Sequence, residues 1–314
     1  MRTVAVAPVW YRWIVGIGLL IILVVVVGPA TLVETVRRWS LPWAITVSCV
    51  IIVWLGMGAI NVWILLRRLT SVRLSAFMPA YLCGWASSLL LPGQLGDAVQ
   101  VVFLRRHGIP MATSSAAYIV DKAISMAWTI VVSSVGLGLY GIGIAGWWLA
   151  ILPLISGGAI LVVFRIFWGI QNPRFEPLQR MARRLVAELK RFRTASTTVV
   201  LNASLTVVKW SLVSIAYWCA FAAIKSPVDL KAAATIPMMS SLVGYLPVSI
   251  GGAGTTEIAA IFVFEQAGTD GASVLAVYLF FRILLLTLAL IVLVLSGSNK
   301  KTGPTDVGPA EIVE

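Results

Sequence analysis

Residues 13–27, 41–66, 111–140, 142–168, 199–224 and 272–296 are apolar runs, most of them long enough to cross a bilayer as a helix. A crossing needs about 20 apolar residues to span the ~30 Å hydrocarbon layer. The chain is 60% hydrophobic and 11% charged, and its mean hydropathy is +0.97, so its apolar surface exceeds what one soluble core holds. An all-α polytopic membrane protein is the expected fold class.

Between the long runs the sequence repeats itself. Asp97, Gly108 and Lys122 are followed 160 residues later by Glu257, Gly268 and Arg282. Gly84 with Gly244, Ala112 with Ala272, Ala116 with Ala276 and Tyr118 with Tyr278 keep the same offset. Two copies of one unit are expected, about 41–140 and about 199–296, each with an acid near a Pro/Gly break and a base inside an apolar segment. In each copy the segments beside the break (76–91 and 95–104, then 232–267) are too short for two crossings and predict a re-entrant hairpin. Such a hairpin is tolerated only where its irregular backbone lines a cavity. Three crossings separate the units, so the second is expected upside down, an inverted repeat with a site between the halves.

The charges follow the spans. Arg67, Arg68, Arg73, Arg105, Arg106 and Lys300-Lys301 fall on one side if both hairpins re-enter, which places both termini in the cytoplasm by the positive-inside rule. The net charge of +12 is therefore read as topology and affinity for anionic lipid, not for nucleic acid. Residues 173–193 combine an apolar stripe with Arg180, Arg183, Arg184, Lys190 and Arg191, and predict either an amphipathic helix on the inner leaflet or an ordinary basic loop. Residues 1–300 are expected to form a single membrane domain with a retained first helix, and 301–314 a disordered cytoplasmic tail. Cys49, Cys83 and Cys219 lack any ligand spacing and His107 is the single histidine, so neither a metal centre nor any other cofactor is expected.

Ionic groups inside apolar segments are the candidate site. One such charge costs about 2.5–3.5 kcal/mol at the bilayer centre, so Asp97, Asp121, Lys122, Glu257 and Arg282 should be paired, hydrated or near an interface. Asp97 with Lys122 and Glu257 with Arg282, or each crosswise, are the expected pairs, with Asp121 on another helix face. Gln94 and Gln100, on the first hairpin, and Gly251, Gly252 and Gly254, on the second, complete the candidate ligand-binding set. The alternative for the charges is a set of fold-stabilising ion pairs, and for the glycines a tight hairpin tip. Lys209 either contributes or snorkels. No phosphate-binding Lys motif is present, so nucleotide-driven pumping by this chain is not expected.

LPGQLGDAVQVVFLRRHGIP with the later Asp121-Lys122, and LPVSIGGAGTTE in the second half, resemble the two signature regions of the lysylphosphatidylglycerol synthase transmembrane family, the flippase-type domain of the multiple peptide resistance factor. The resemblance covers most of residues 10–296. It implies a multi-pass bacterial inner-membrane protein with re-entrant helices that moves lipids, without the aminoacyl-transferring domain of the best-known members. Gln100 and Thr256 stand where that family is expected to carry arginine, and Lys122 where it carries an Asp-Arg pair. The expected function is binding and translocation of an anionic phospholipid or lipid-linked glycan, without catalysis. The expected partners are membrane lipids and envelope biosynthesis enzymes. The alternatives are an ion-coupled transporter of a small solute and an accessory subunit in envelope lipid or glycolipid synthesis.

Overall fold

The structure, a computed structural model, describes residues 10–90, 95–106, 108–140, 176–192, 195–244 and 249–298. Side chains of 10–12, 90, 95–98, 106, 176–179, 181, 250 and 297–298 lie outside the description. So do Gln94, His107, the expected span 142–168, and the tail.

Among the described residues the chain is helical without a strand. The helices are α1 (Trp10–Val27), α2 (Pro29–Arg37), α3 (Leu41–Leu69), α4 (Leu74–Leu90), α5 (Leu95–Arg106), α6 (Met111–Leu139), α7 (Glu176–Arg191), α8 (Ser196–Ala223), α9 (Leu230–Gly244), α10 (Thr255–Gln266) and α11 (Gly271–Ser298). Four of them, α3, α6, α8 and α11, are long and apolar enough to cross a membrane. A fifth crossing is reached if α1 and α2 count as one bent span. Gly28, at φ 93°, followed by Pro29, turns the chain 86° between those two helices. Proline starts a helix readily but cannot extend one, so the first span ends there.

The same order of elements occurs twice: a long helix, two short ones and a long one (α3–α6, then α8–α11). At ~1.5 Å per residue the short helices reach about 18–26 Å, less than the hydrocarbon thickness. Within each set the short helices pack on each other, α4 on α5 and α9 on α10. The first helices of the two sets, α3 and α8, run antiparallel. Ser40 N–H donates to Ala223 O (3.1 Å) at one end, and Asn202 Nδ2 donates to Asn61 O (2.9 Å) toward the other.

Burial along these helices is inverted relative to a soluble protein. On α6 the buried positions include Asp121, Ser125, Thr129 and Ser133, four residues apart, while Val131, Val135 and Leu139 face outward. On α11 the exposed side chains are Ile283, Leu286, Leu290, Ile291, Val294 and Leu295. Lipid as solvent reverses the usual preference, so polar groups seek each other in the interior. Apolar packing still ties the sets together: Val47 and Ile51 of α3 join Phe221, Ile236, Phe264 and Val274, whereas Leu65 and Leu66 join Phe77, Leu104 and Ala117.

The basic segment forms α7, as one of the two readings anticipates, but its apolar side does not lie free for the leaflet. From Ala182 onward that side turns onto protein, where Leu185, Leu189 and Phe192 pack with Leu69 and Ile109. Thr113 Oγ1 donates to Glu188 (3.2 Å), and Arg191 Nη1 donates to Glu188 (2.9 Å) and to Leu69 O (3.4 Å). The ends of α3 and α6 present enough apolar surface to compete with lipid for the stripe. Arg180, Arg183, Arg184, Lys190 and Arg191 remain exposed.

Candidate functional site

The loop after α9 turns through Gly251 (φ 56°), Gly252 (φ 69°) and Gly254 (φ 81°), a left-handed path that side chains with a Cβ rarely take. Gly252 is also held close: a Cβ there would stand 2.8 Å from Gly244 Cα. The turn delivers Glu257 as the third residue of α10, where its Oε2 accepts the Gly254 N–H at 2.8 Å and the carboxylate meets the positive end of the helix. Arg282 reaches in from α11. Its Nε donates to Glu257 Oε1, its Nη2 to Oε2 (3.1 Å) and its Nη1 to Gly251 O (3.4 Å). Two parallel donors on one carboxylate make a bidentate, charge-assisted pair. Glu257 is 1% exposed, but the Arg282 side chain keeps 25% of its surface accessible.

That exposed part of Arg282 faces two openings. A cavity of about 320 Å³ is lined by Glu257, Arg282, Thr256, Tyr217, Tyr278 and Trp210, with Ser88 and Leu89 across it. An apolar groove of about 230 Å³ is lined by Trp13, Gly16, Ile17 and Leu20 of α1 and Leu286 of α11. Leu89, Gly251, Arg282 and Leu285 line both, so the cavity and the groove adjoin. On the other side, Ser88 and Trp210 also line a chamber of about 210 Å³ between α3, α4, α6 and α8 that holds Gln100, Asp121, Lys122 and Lys209.

Asp121 anchors the wall of that chamber. Its Oδ1 accepts from Asn61 Nδ2 (2.8 Å) and Asn202 Nδ2 (3.1 Å), and Asn61 Nδ2 also donates to Thr206 Oγ1 (2.9 Å). Asn61, Asn202 and Thr206 are fully buried and join α3, α6 and α8 through one carboxylate. Lys209 Nζ donates to Ser125 Oγ at 3.2 Å, so its ammonium is turned inward rather than snorkelling to the surface. Asn202→Leu removes a donor to a buried carboxylate and should lower stability by about 1.5–3 kcal/mol. Thermal unfolding in detergent at a fixed scan rate reads the loss, and an unchanged midpoint would show that the network holds nothing together.

The structure thus brings Glu257 and Arg282 into one pair with Gly251 and Gly254. Gly254 N–H and Gly251 C=O are bound by those two side chains, so they serve the ion pair rather than an open phosphate cradle. Asp121, Lys122 and Gln100 share the second chamber. Asp97 is the third residue of α5, and its side chain, like Gln94, lies outside the described residues. Sequence reasoning missed Asn61, Asn202 and Thr206. Two asparagines within apolar spans, Asn61 and Asn202, were a readable signal, because a polar amide in lipid needs a partner.

Helices throughout the described residues, four of them long and apolar enough to cross a membrane, with ionic and amide groups turned inward, define a polytopic membrane protein. Residues 13–294 match the family described as Lysylphosphatidylglycerol synthase TM region, and the chain belongs to that family. No curated protein and no solved structure matches it.

Proposed function

We propose that the protein binds an anionic phospholipid or a lipid-linked glycan and translocates it across the bacterial inner membrane, both termini cytoplasmic, without chemical conversion. One observation carries this reading: the cavity of the Glu257–Arg282 pair and the apolar groove between α1 and α11 share Arg282, Leu89, Gly251 and Leu285. A headgroup beside Arg282 would leave its chains in the groove, the arrangement an amphipathic ligand needs and a small polar solute does not. The guanidinium, already bound to Glu257, keeps an accessible side that can donate to a headgroup oxygen. The antiparallel run of α3 and α8 and the recurrence of the element order support two units of opposite orientation about a central path. The exposed bases of α7 supply attraction to anionic lipid of up to ~1 kcal/mol each.

Proteoliposomes with fluorescent lipid in one leaflet test the proposal. Wild type should speed equilibration between leaflets, and Asp97→Asn and Glu257→Gln should each slow it by about tenfold or more while remaining folded. Full activity in both variants would remove these carboxylates from the mechanism. Uptake of a soluble solute with no lipid exchange would favour the small-solute transporter instead.

A further inference from the structure

Arg67 and Arg73 face one open pocket at the end of α3, a feature the transport reading does not use. The pocket, about 460 Å³, is lined by Trp63, Arg67, Ser71, Val72 and Arg73. Trp63 fixes its back wall: Nε1 donates to Val72 O at 2.9 Å and ties the ring to the turn that follows α3. The Arg67 guanidinium carbon stands 5.1 Å from the centre of that ring, a cation–π contact that holds the planar group in place. Arg73 comes next after Val72, so the turn held by Trp63 also carries the second guanidinium. Among the described residues neither Arg67 nor Arg73 forms an ion pair, and no acid lines the pocket. The helix dipole accounts for Arg67 and Arg68 in the last turn of α3, but not for Arg73 beyond it.

We infer that this pocket seats the phosphate of an anionic phospholipid at the membrane edge, apart from the transport cavity. At ~1.5 Å per residue α3 is about 44 Å long, so it outreaches the ~30 Å hydrocarbon layer and its basic last turn lies at headgroup level. Trp63, one turn earlier, falls where aromatic belts form. Met57, Ile60 and Ile64 are partly exposed and lead to Arg67 in steps of three and four, an apolar stripe along which acyl chains can lie. Two guanidiniums offer planar forks that bind phosphate oxygens in pairs, and the exposed Ser71 adds a hydroxyl. A zwitterionic headgroup would bring its own cation against Arg67 or Arg73, so the pocket favours a headgroup of net negative charge. The bond from Arg191 Nη1 to Leu69 O brings the basic helix α7 to the same end, where its charges add longer-range attraction. This inference does not depend on the transport reading.

Native mass spectrometry of the full chain in detergent, at about 0.15 M salt where exposed charges are screened, provides the test. The probes are dioleoyl phosphatidylmethanol, whose headgroup is little more than a phosphodiester anion, phosphatidylcholine with the same chains, and inorganic phosphate. Phosphatidylmethanol should bind several-fold tighter than phosphatidylcholine. Arg67→Gln and Arg73→Gln should each weaken it by about tenfold, the loss of one paired, charge-assisted contact. Arg67→Lys keeps the charge without the planar fork and should still lose several-fold. Arg68→Gln removes a charge from the same turn but not from the pocket, and should change binding by about twofold at most. Equal losses from the three glutamine variants, or no preference over phosphatidylcholine, overturn the seat. Displacement of the lipid by an equal concentration of inorganic phosphate assigns the pocket to a free anion and overturns the lipid. Lipid exchange between leaflets should stay near the wild-type rate in all four variants. If exchange falls in step with binding, the pocket belongs to the transport path and is no separate seat.

Discussion

Arg282→Leu is expected to lower the stability of the protein by about 3–5 kcal/mol, the usual cost of leaving one member of a buried ion pair uncompensated. Glu257 is 1% exposed, and apart from Arg282 its one hydrogen-bond donor among the described residues is the Gly254 N–H, which cannot neutralise a carboxylate. The remedy follows from the same geometry. Glu257→Gln in the Arg282→Leu background removes the buried charge and retains an oxygen for Gly254 N–H, so it should recover most of the loss. Apparent unfolding midpoints in detergent, at one scan rate, rank wild type first, the double variant next and Arg282→Leu last. If Arg282→Leu unfolds like wild type, the pair holds no part of the fold. Lipid exchange should be lost in both variants, because neither keeps a guanidinium at the junction of cavity and groove.

The second large effect is expected from one methyl group. Gly84 lies on α4 where that helix meets α5, and a Cβ there would overlap Gln100 Cγ and stand 2.8 Å from Gln100 Cα. Backbone cannot yield as a flexible side-chain end does, so Gly84→Ala should force the two short helices apart, at a cost of about 1–3 kcal/mol or more. Adding Gln100→Ala should restore only part of the loss, because Gln100 Cβ, at 2.7 Å, and Cα remain. Gly138→Ala on α6, with nothing within 4 Å of the added carbon, is the control and should be neutral or slightly stabilising. Equal midpoints for Gly84→Ala and Gly138→Ala would contradict the close packing of α4 on α5.

Gly84 also shows how far the sequence could be read. Its match with Gly244 at the 160-residue offset marks a repeated unit, but nothing in that spacing says what each glycine touches. In the structure Gly84 faces Gln100 and Gly244 faces Thr256, at 3.1 Å from an added Cβ. Those are the two positions where the family resemblance predicts arginine. Glu257 and Arg282 were legible because a charge inside an apolar run demands a partner, and the repeat narrowed the choice of partners. Asn61 and Asn202 were passed over because an amide is less conspicuous than a charge in a hydropathy profile, though each needs hydrogen bonds in lipid just as surely. The apolar stripe of α7 was legible as periodicity, yet periodicity does not say whether lipid or protein covers it.

The sequence by itself determined the solvent, the long apolar helices and the family of this protein. Long apolar runs in lipid satisfy their backbone as helices whatever their neighbours are, so these properties follow from local composition. Beyond the Glu257–Arg282 pair, which polar groups meet was decided by tertiary structure. Asp121 joins Asn61 and Asn202 across 60 and 81 residues of chain, and Trp54, Gln100 and Trp210 face one chamber from three helices. Those meetings depend on helix rotation and crossing, which are set by side-chain packing between distant segments and leave no mark in the order of residues along any one of them.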